Sequence, residues 1–304
     1  MSGKYSVNKH LAGINFSSLS HADRISMLQK ILDEKIHGMS YSPYMDGQEP
    51  GVEIRNAQIE QRLKIIQPYT HWIRTFSCVE GNENIPGIAK KHDLKVVYDA
   101  AHVFGVKYKD ESILNYGDIS TLSFHATKLF HTIEGGALII NDDSLVEKAR
   151  YLRNFGIENQ ESIPELGTNA KMNEFEAAMG LCMLDEMENI LKQRKESHEF
   201  YTQQLEQYVQ LQKKNEDATQ SYTYFPITFR SGDEMSRVRE ALFEKDIAAR
   251  QYFKPSLDTL PYVEIRNVMT KSRDIASRIL VIPMHSGVEP IVSQIIIETL
   301  EKMR

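Results

Sequence analysis

Cysteine is nearly absent: Cys78 and Cys182 are the only two in 304 residues. Two thiols cannot build a disulfide framework, and no metal-ligand spacing surrounds them, so a stapled secreted fold and a structural zinc site are not expected. Both read as small buried hydrophobes. Long apolar runs are missing too. No segment approaches ~18 consecutive apolar residues and no basic-then-apolar stretch opens the chain, so neither a spanning helix nor a secretory leader is expected. Surplus positive charge is also lacking, with a net charge of -6. That balance argues against a nucleic-acid or anionic-membrane partner, although a local site for a phosphorylated small molecule need not follow the global sign. These absences lead to the expectation of a cytoplasmic protein without membrane or nucleic-acid partners and without a bound metal.

What is present fits a globular chain of about two domains. Hydrophobic residues make up 41% and charged residues 26%, enough to bury a sizeable core without staples. Ile25, Leu28, Leu32 and Ile36 recur at helical spacing, predicting a helix over Arg24 to Ile36. Turn chemistry follows in Ser42-Pro43, Asp46-Gly47 and Pro50-Gly51. Gln58 to Ile66 reads as a helix stopped by Pro68, Trp72 to Phe76 as a strand, and Ile85 to Lys91 as a short helix with Pro86 in its first turn. Lys95-Val96-Val97-Tyr98-Asp99 is a buried strand ending in a carboxylate, and Ile119 to Phe124 and Gly135 to Asn141 are strand-like. This cadence predicts an α/β layer structure. A helix over Ser144 to Arg153 is expected with Ser144 as its cap. A longer helical pattern, with breaks, runs from Asn173 to about Tyr208, and its apolar stripe from Met172 to Leu184 is core or interface. After the polar linker Lys213 to Gln220, strands near Tyr222–Phe229 and Ile279–Ile282 and helices near 235–245 and 292–302 outline a smaller α+β domain.

The chemistry concentrates in two elements. Asp99-Ala100-Ala101-His102 puts a carboxylate at the C-terminal end of a buried strand, where open α/β sheets take ligands, with small residues behind it that admit a flat group. Alone, such an aspartate is as often a turn former. About thirty residues on, Ser123-Phe124-His125-Ala126-Thr127-Lys128 is followed by Glu134-Gly135-Gly136-Ala137. A lysine in a hydroxyl-rich loop after a strand can be partly desolvated, which favours the neutral, nucleophilic amine. The bland reading of any single lysine is a solvated surface charge; the combination of motifs is what sets Lys128 apart.

Asp-Ala-Ala-His, Ser-Phe-His-Ala-Thr-Lys and Glu-Gly-Gly-Ala, with the stretch Gly167-Thr168-Asn169-Ala170-Lys171-Met172-Asn173-Glu174, resemble the successive signatures of the DegT/DnrJ/StrS sugar aminotransferases. Arg250-Gln251-Tyr252-Phe253-Lys254-Pro255 is a weaker fifth match. The resemblance covers roughly Ile88 to the C-terminus. It implies an aspartate aminotransferase-like fold carrying pyridoxal 5'-phosphate (PLP), with Lys128 as the Schiff-base lysine and proton carrier. Asp99 would pair with the pyridine nitrogen and keep the ring an electron sink. His102 would lie against the ring or its 3'-oxygen, unless it is an ordinary core histidine. Ser123 would bond the cofactor phosphate, Asn169 would reach it across a homodimer interface, and Arg250 and Tyr252 would contact the sugar nucleotide. Gly135 and Gly136 read as close-packing positions instead of ligands.

The first ninety residues depart from that pattern. The family's Ser-Gly-Thr turn, whose backbone donors hold the phosphate at a helix N-terminus, has no counterpart, since Ser-Gly occurs only at Ser2-Gly3, Ser231-Gly232 and Ser286-Gly287. Weak PLP binding and poor transamination are therefore expected of this chain. Residues 38–84, through Ser42-Pro43-Tyr44, Ile66-Gln67-Pro68-Tyr69-Thr70 and Trp72-Ile73-Arg74-Thr75-Phe76, resemble instead the opening of a bacterial glycoside-hydrolase-like (β/α)8 barrel. Glu80 and Glu83 would be poor candidates for a hydrolase's carboxylate pair. The resulting expectation has three parts: an atypical βα segment over 1–87, a partial PLP-binding large domain over 88–212, and an α+β small domain over 213–304. The expected activity is transfer of an amino group, with glutamate as donor, to a keto group of a nucleotide-linked deoxysugar, a step in deoxysugar biosynthesis for cell-surface polysaccharide. The alternative is a truncated or chimeric relative without catalytic activity, and a carbohydrate-binding or hydrolytic role for the N-terminal part stands behind both.

Overall fold

The computed structural model describes residues 18–48, 52–75, 80–262, 268–285 and 287–303. Pro50, Gly51, Phe76, Ser77, Cys78 and Ser286 lie outside them. The chain divides into two compact units. The first takes in the chain up to Ala101, Glu111–Ser123 and Gly136–Lys171; the second takes in His102–Asp110, Phe124–Gly135 and the chain from Met172 onward.

In the first unit, the Ser20 hydroxyl accepts the Asp23 N–H at 3.2 Å and caps α1 (His21–Asp33). This helix sits earlier than its apolar spacing suggests, and Ile25 and Leu28 are exposed. Ile36 does not continue it but opens β1 (Ile36–Ser40). There follow α2 (Asn56–Ile66), β2 (Thr70–Thr75), α3 (Ile85–Lys90) and β3 (Lys95–Asp99). The unit closes with β4 (Ile119–Ser123), β5 (Gly136–Ile140) and α4 (Val146–Arg153). The five strands form one sheet in sequential order, β1 to β4 parallel and β5 antiparallel to β4. Ile59 and Leu63, one turn apart on α2, pack with Ile73 of β2, Ile85 of α3 and Val96 of β3, all essentially inaccessible to solvent. Each such side chain contributes about 1.5–3 kcal/mol by leaving water.

This topology gives no support to a barrel opening over residues 38–84. β1 and β2 are the edge and second strands of the sheet that carries β3, with Thr75 in register with Tyr98. A βα repeat reads alike at the start of a barrel and of an open sheet, because both bury parallel strands beneath helices. A second correction concerns α4. Ser144 does not cap it: the N-cap position is Leu145, without a side-chain cap, and Asp142 caps the short 3-10 turn Asp143–Leu145 just before it, its carboxylate accepting the Ser144 N–H at 3.0 Å.

The Asp142 carboxylate also takes the Lys95 ammonium, whose chain partner Asp118 lies 3.4 Å away. Hydrogen bonding from Lys95 and then from Ser144 holds Asp142 down at about 2. An unfolded aspartate titrates near 3.9, so this group's contribution is complete above about pH 4 and is lost as pH falls through about 2. Asp142→Asn should therefore lower the melting temperature most at neutral pH. Against the parent, the difference should shrink between pH 4 and pH 2, as thermal scans across that range would show.

In the second unit, Asn173 and Glu176 form a reciprocal capping box that starts α5 (Glu174–Leu205), one unbroken helix where the sequence suggests breaks. It is followed by β6 (Gln210–Leu211), β7 (Phe225–Thr228), α6 (Gly232–Phe243), α7 (Thr270–Arg278), β8 (Ile279–Ile282) and α8 (Glu289–Glu301). The strands make an antiparallel sheet in the order β8-β7-β6. Tyr201, Leu205, Ile227, Leu242, Leu280, Val292 and Ile296 form its core. The N-terminal half of α5 contributes little to that core. Phe175 is 89% exposed, Leu181 66% and Leu184 53%. Cys182 on the same stretch is exposed, which corrects its reading as a buried hydrophobe. No helix among the described residues is long and apolar enough to cross a membrane.

Candidate active site

Parallel strands expose their C-terminal ends at one edge of the sheet, and the first unit places Arg74, Asp99 and Ser123 at the ends of β2, β3 and β4. Asp99 is half-buried and both of its oxygens are engaged. Oδ1 accepts the Ala101 N–H at 3.2 Å and Oδ2 is ion-paired with the Arg74 guanidinium. A carboxylate held from two sides loses little further freedom on meeting a third donor. Ser123 is half-buried and lies opposite Gly136 in the β4–β5 ladder, where a side chain at 136 would come within 2.7 Å of the Leu122 carbonyl oxygen. Gly136, the first residue of β5, is thus a packing position, as the sequence suggests. Asn169 is exposed; its Oδ1 accepts the Lys171 ammonium at 2.6 Å and its backbone pairs with Asn154.

Lys128 belongs to the second unit. Its loop is anchored on both sides: Phe124 N–H donates to the Gly135 carbonyl at 2.9 Å, and Thr132 N–H donates to the Phe124 carbonyl at 2.9 Å. Leu129 and Phe130, next to Lys128 in sequence, are buried, and Phe130 stacks on Phe104 with ring centroids 4.5 Å apart. Gly135, at φ +150, lies so near Thr132 that an added Cβ would meet its hydroxyl at 2.3 Å. The apolar neighbours pin the loop and leave the Lys128 side chain half-buried. Its Nζ lies 2.8 Å from His102 Nε2. A hydrogen bond of that length requires an imidazole nitrogen and an amine to share a proton between them.

A chain of ring contacts continues from there. The His102 ring meets Tyr224 edge-on at 5.5 Å, Tyr224 stacks with Tyr252 at 5.7 Å, and the Arg250 guanidinium carbon lies 5.2 Å from the Tyr252 ring centre. Arg250 is exposed and its backbone pairs with Val281 next to β7. The structure therefore joins Lys128 to His102, and Arg250 to Tyr252, with Tyr224 linking the two pairs. Asp99, Ser123 and Asn169 stand in the first unit. Arg74 and Tyr224 escaped the sequence reading. A cation inside the apolar run Trp72-Ile73-Arg74-Thr75 is a usable signal for the first, since strand-end charges tend to be partnered. Nothing in the local pattern marks the second.

These donor types suit PLP: a primary amine half-withdrawn from water, a fixed carboxylate at a strand end, and a hydroxyl on the neighbouring strand. The model of the DegT/DnrJ/EryC1/StrS aminotransferase family matches residues 58–301, starting some thirty residues earlier than the motifs alone suggested. A dTDP-4-amino-4,6-dideoxy-D-glucose transaminase of Shigella dysenteriae is 37% identical over 79% of this chain and 68% of its own length. A GDP-perosamine synthase of Escherichia coli O157:H7 is 28% identical over 72% of this chain and 60% of its own. The chain thus spans about two thirds of the length of the curated relatives it matches. Among solved structures, the aminotransferase TlmJ from Streptoalloteichus hindustanus superposes with a TM-score of 0.71 at 18% identity, covering 81% of this chain and 70% of that one. That likeness shows the fold, which is the aspartate aminotransferase-like α/β fold. The chain belongs to the DegT/DnrJ/EryC1/StrS aminotransferase family.

Proposed function

We propose that this chain is a PLP-dependent aminotransferase that passes an amino group from an amino-acid donor, glutamate, to a keto group of a nucleotide-linked deoxysugar in the cytoplasm. The observation that carries the reading is the half-buried Lys128 amine held 2.8 Å from His102 in a loop pinned by buried aromatic residues. The activities named for the Shigella and Escherichia relatives support the substrate class. They also favour a working transferase over a relative without catalytic activity.

PLP, when bound, supplies an aldehyde and an electron-withdrawing ring. Lys128 Nζ is the atom that would hold it and would then carry the substrate proton, with His102 setting the direction of the Nζ lone pair. The Asp99 carboxylate would face the ring nitrogen and favour its protonated form. Arg74 and the Ala101 N–H fix that carboxylate beforehand, so little reorganisation remains at the moment of reaction. Ser123 would donate its hydroxyl to the phosphate, and Arg250 with Tyr252 would meet the nucleotide sugar, a guanidinium suiting its phosphates and a ring face its flat groups. The test is direct. Protein loaded with PLP is incubated with L-glutamate and a panel of dTDP- and GDP-linked keto-deoxysugars, and amino-sugar and 2-oxoglutarate are followed by mass spectrometry. Consumption of no sugar in the panel, by protein that retains its fold, would overturn the reading.

The active unit is proposed to be a homodimer. In the first unit Leu166 is 77% exposed and Ile163 67%, around Asn169; in the second, the exposed stripe from Phe175 to Leu184 is apolar surface of a kind that soluble monomers seldom leave contiguous. If Asn169 serves the neighbouring subunit, mixing Asn169→Ala chains with Lys128→Ala chains should restore up to about a quarter of the parent activity, because some sites then draw one intact half from each chain. Well-folded mixed dimers without any recovery would count against a shared site.

A further inference from the structure

The Tyr224 hydroxyl is buried and has no hydrogen-bond partner among the described residues. An unpaired buried hydroxyl disfavours the folded state, and phenylalanine would fill the same ring position without that cost. Its ring touches His102, which in turn holds Lys128. Beside it, Arg194 of α5 directs Nη1 to the carbonyl oxygens of Tyr222 and Thr223 at 3.4 and 3.3 Å. These two long bonds leave most of a guanidinium's five N–H donors unspent, and no carboxylate pairs with it among the described residues. Burial works against the charge of Arg194, and the Tyr224 oxygen is near enough to offset part of that effect.

A half-buried guanidinium with unspent N–H donors and a buried hydroxyl without a partner among the described residues make a donor-rich corner beside the ring that touches His102. A guanidinium with N–H donors to spare suits an anion, and its planar fork suits a carboxylate. We infer that Tyr224 and Arg194 form the carboxylate subsite for the amino-acid donor, an inference that rests on the transaminase reading above. The amine of a bound amino acid would then reach the position now taken by Lys128 Nζ, while the keto sugar is met from the Arg250 and Tyr252 side.

The probe is glutarate, a dicarboxylate with no amine to react. Its dissociation constant is measured by calorimetry on the full chain, with and without PLP. Tyr224→Phe and Arg194→Gln should each raise that constant roughly ten-fold or more, the effect of one lost charge-assisted bond. Arg194→Lys should recover only part of the affinity. Tyr224→Phe keeps the ring contact with His102 and should melt at or above the parent temperature, so it carries the test even where Arg194→Gln fails to fold. Glutarate binding that is unchanged in Tyr224→Phe, or absent from the parent, overturns the subsite. Uptake of PLP at Lys128, read from its visible absorbance, is scored separately. Uptake without a glutarate effect removes the subsite alone, whereas glutarate binding without uptake removes the transaminase reading and leaves a carboxylate site.

Discussion

Lys128→Ala is expected to abolish turnover, with a loss of at least ~10³-fold in kcat, because no other group can take over both the attachment of the cofactor and the carriage of the proton. Lys128→Arg should fail as completely. It restores the positive charge, but a guanidinium cannot form the covalent bond and presents a different fork of donors to His102. Folding should hardly notice either change. The side chain is half-buried and makes one hydrogen bond to an imidazole, a contact worth about 0.5–1.5 kcal/mol, while the loop is held by Leu129, Phe130 and the bonds of Phe124 and Thr132. The measurement that fixes the residue is borohydride reduction of PLP-treated protein followed by peptide mass mapping. The label should fall within the peptide holding Lys128, and a label on any other lysine would sink the assignment. Far-ultraviolet circular dichroism and thermal melting of Lys128→Ala, matching the parent, would exclude misfolding as the cause.

Asp99→Asn should cost ~10²-fold or more in kcat, the scale for removing one buried electrostatic partner of a developing charge. An amide keeps the shape and can still accept the Ala101 N–H, but it does not hold a proton on a ring nitrogen. The fold should tolerate the change, since an ion pair as open as Arg74 with Asp99, with side chains 53% and 29% exposed, contributes little to stability. Arg74→Ala separates the two roles of the pair. It releases one side of the carboxylate yet leaves the carboxylate itself, so it should cost roughly ten-fold at most. Asp99→Asn with kcat within a few-fold of the parent would refute the electron-sink role. Arg74→Ala as damaging as Asp99→Asn would show that the pair, and not Asp99 alone, does the work.

The elements that were legible in the sequence are those with strong local causes. Pro68 and Pro86 bound helices as their missing N–H groups dictate, and the alternating burial of Lys95–Asp99 and Ile119–Ser123 follows from strand geometry. Errors fell where local cause is weak. The apolar spacing up to Ile36 suits a helix, but β1 gains a ladder with β2 that no local pattern reveals. Ser144 fails to cap α4 because a 3-10 turn capped by Asp142 precedes the helix, and Ser144 spends its hydroxyl on the Asp142 carboxylate that also takes the distant Lys95.

The site divides in the same way. Asp99, Ser123, Lys128, His102 and Asn169 could be proposed from the sequence because they sit in short runs whose residue types suit particular chemistry, so the proposal needs only adjacent positions. The sequence by itself also determined the α/β class, since strand and helix periods are local properties of the chain. Tertiary structure alone decided that residues 36–75 extend the same sheet and do not open a barrel, because hydrogen-bond partners are chosen only when strands meet. It alone placed Arg74 against Asp99 across 25 positions, and Tyr224 against His102 across more than a hundred. It left Phe175 and Leu181 facing water, although their spacing reads equally well as core. Burial, charge pairing and ring contact depend on which distant segments pack together, and that choice is made by the whole hydrophobic core at once.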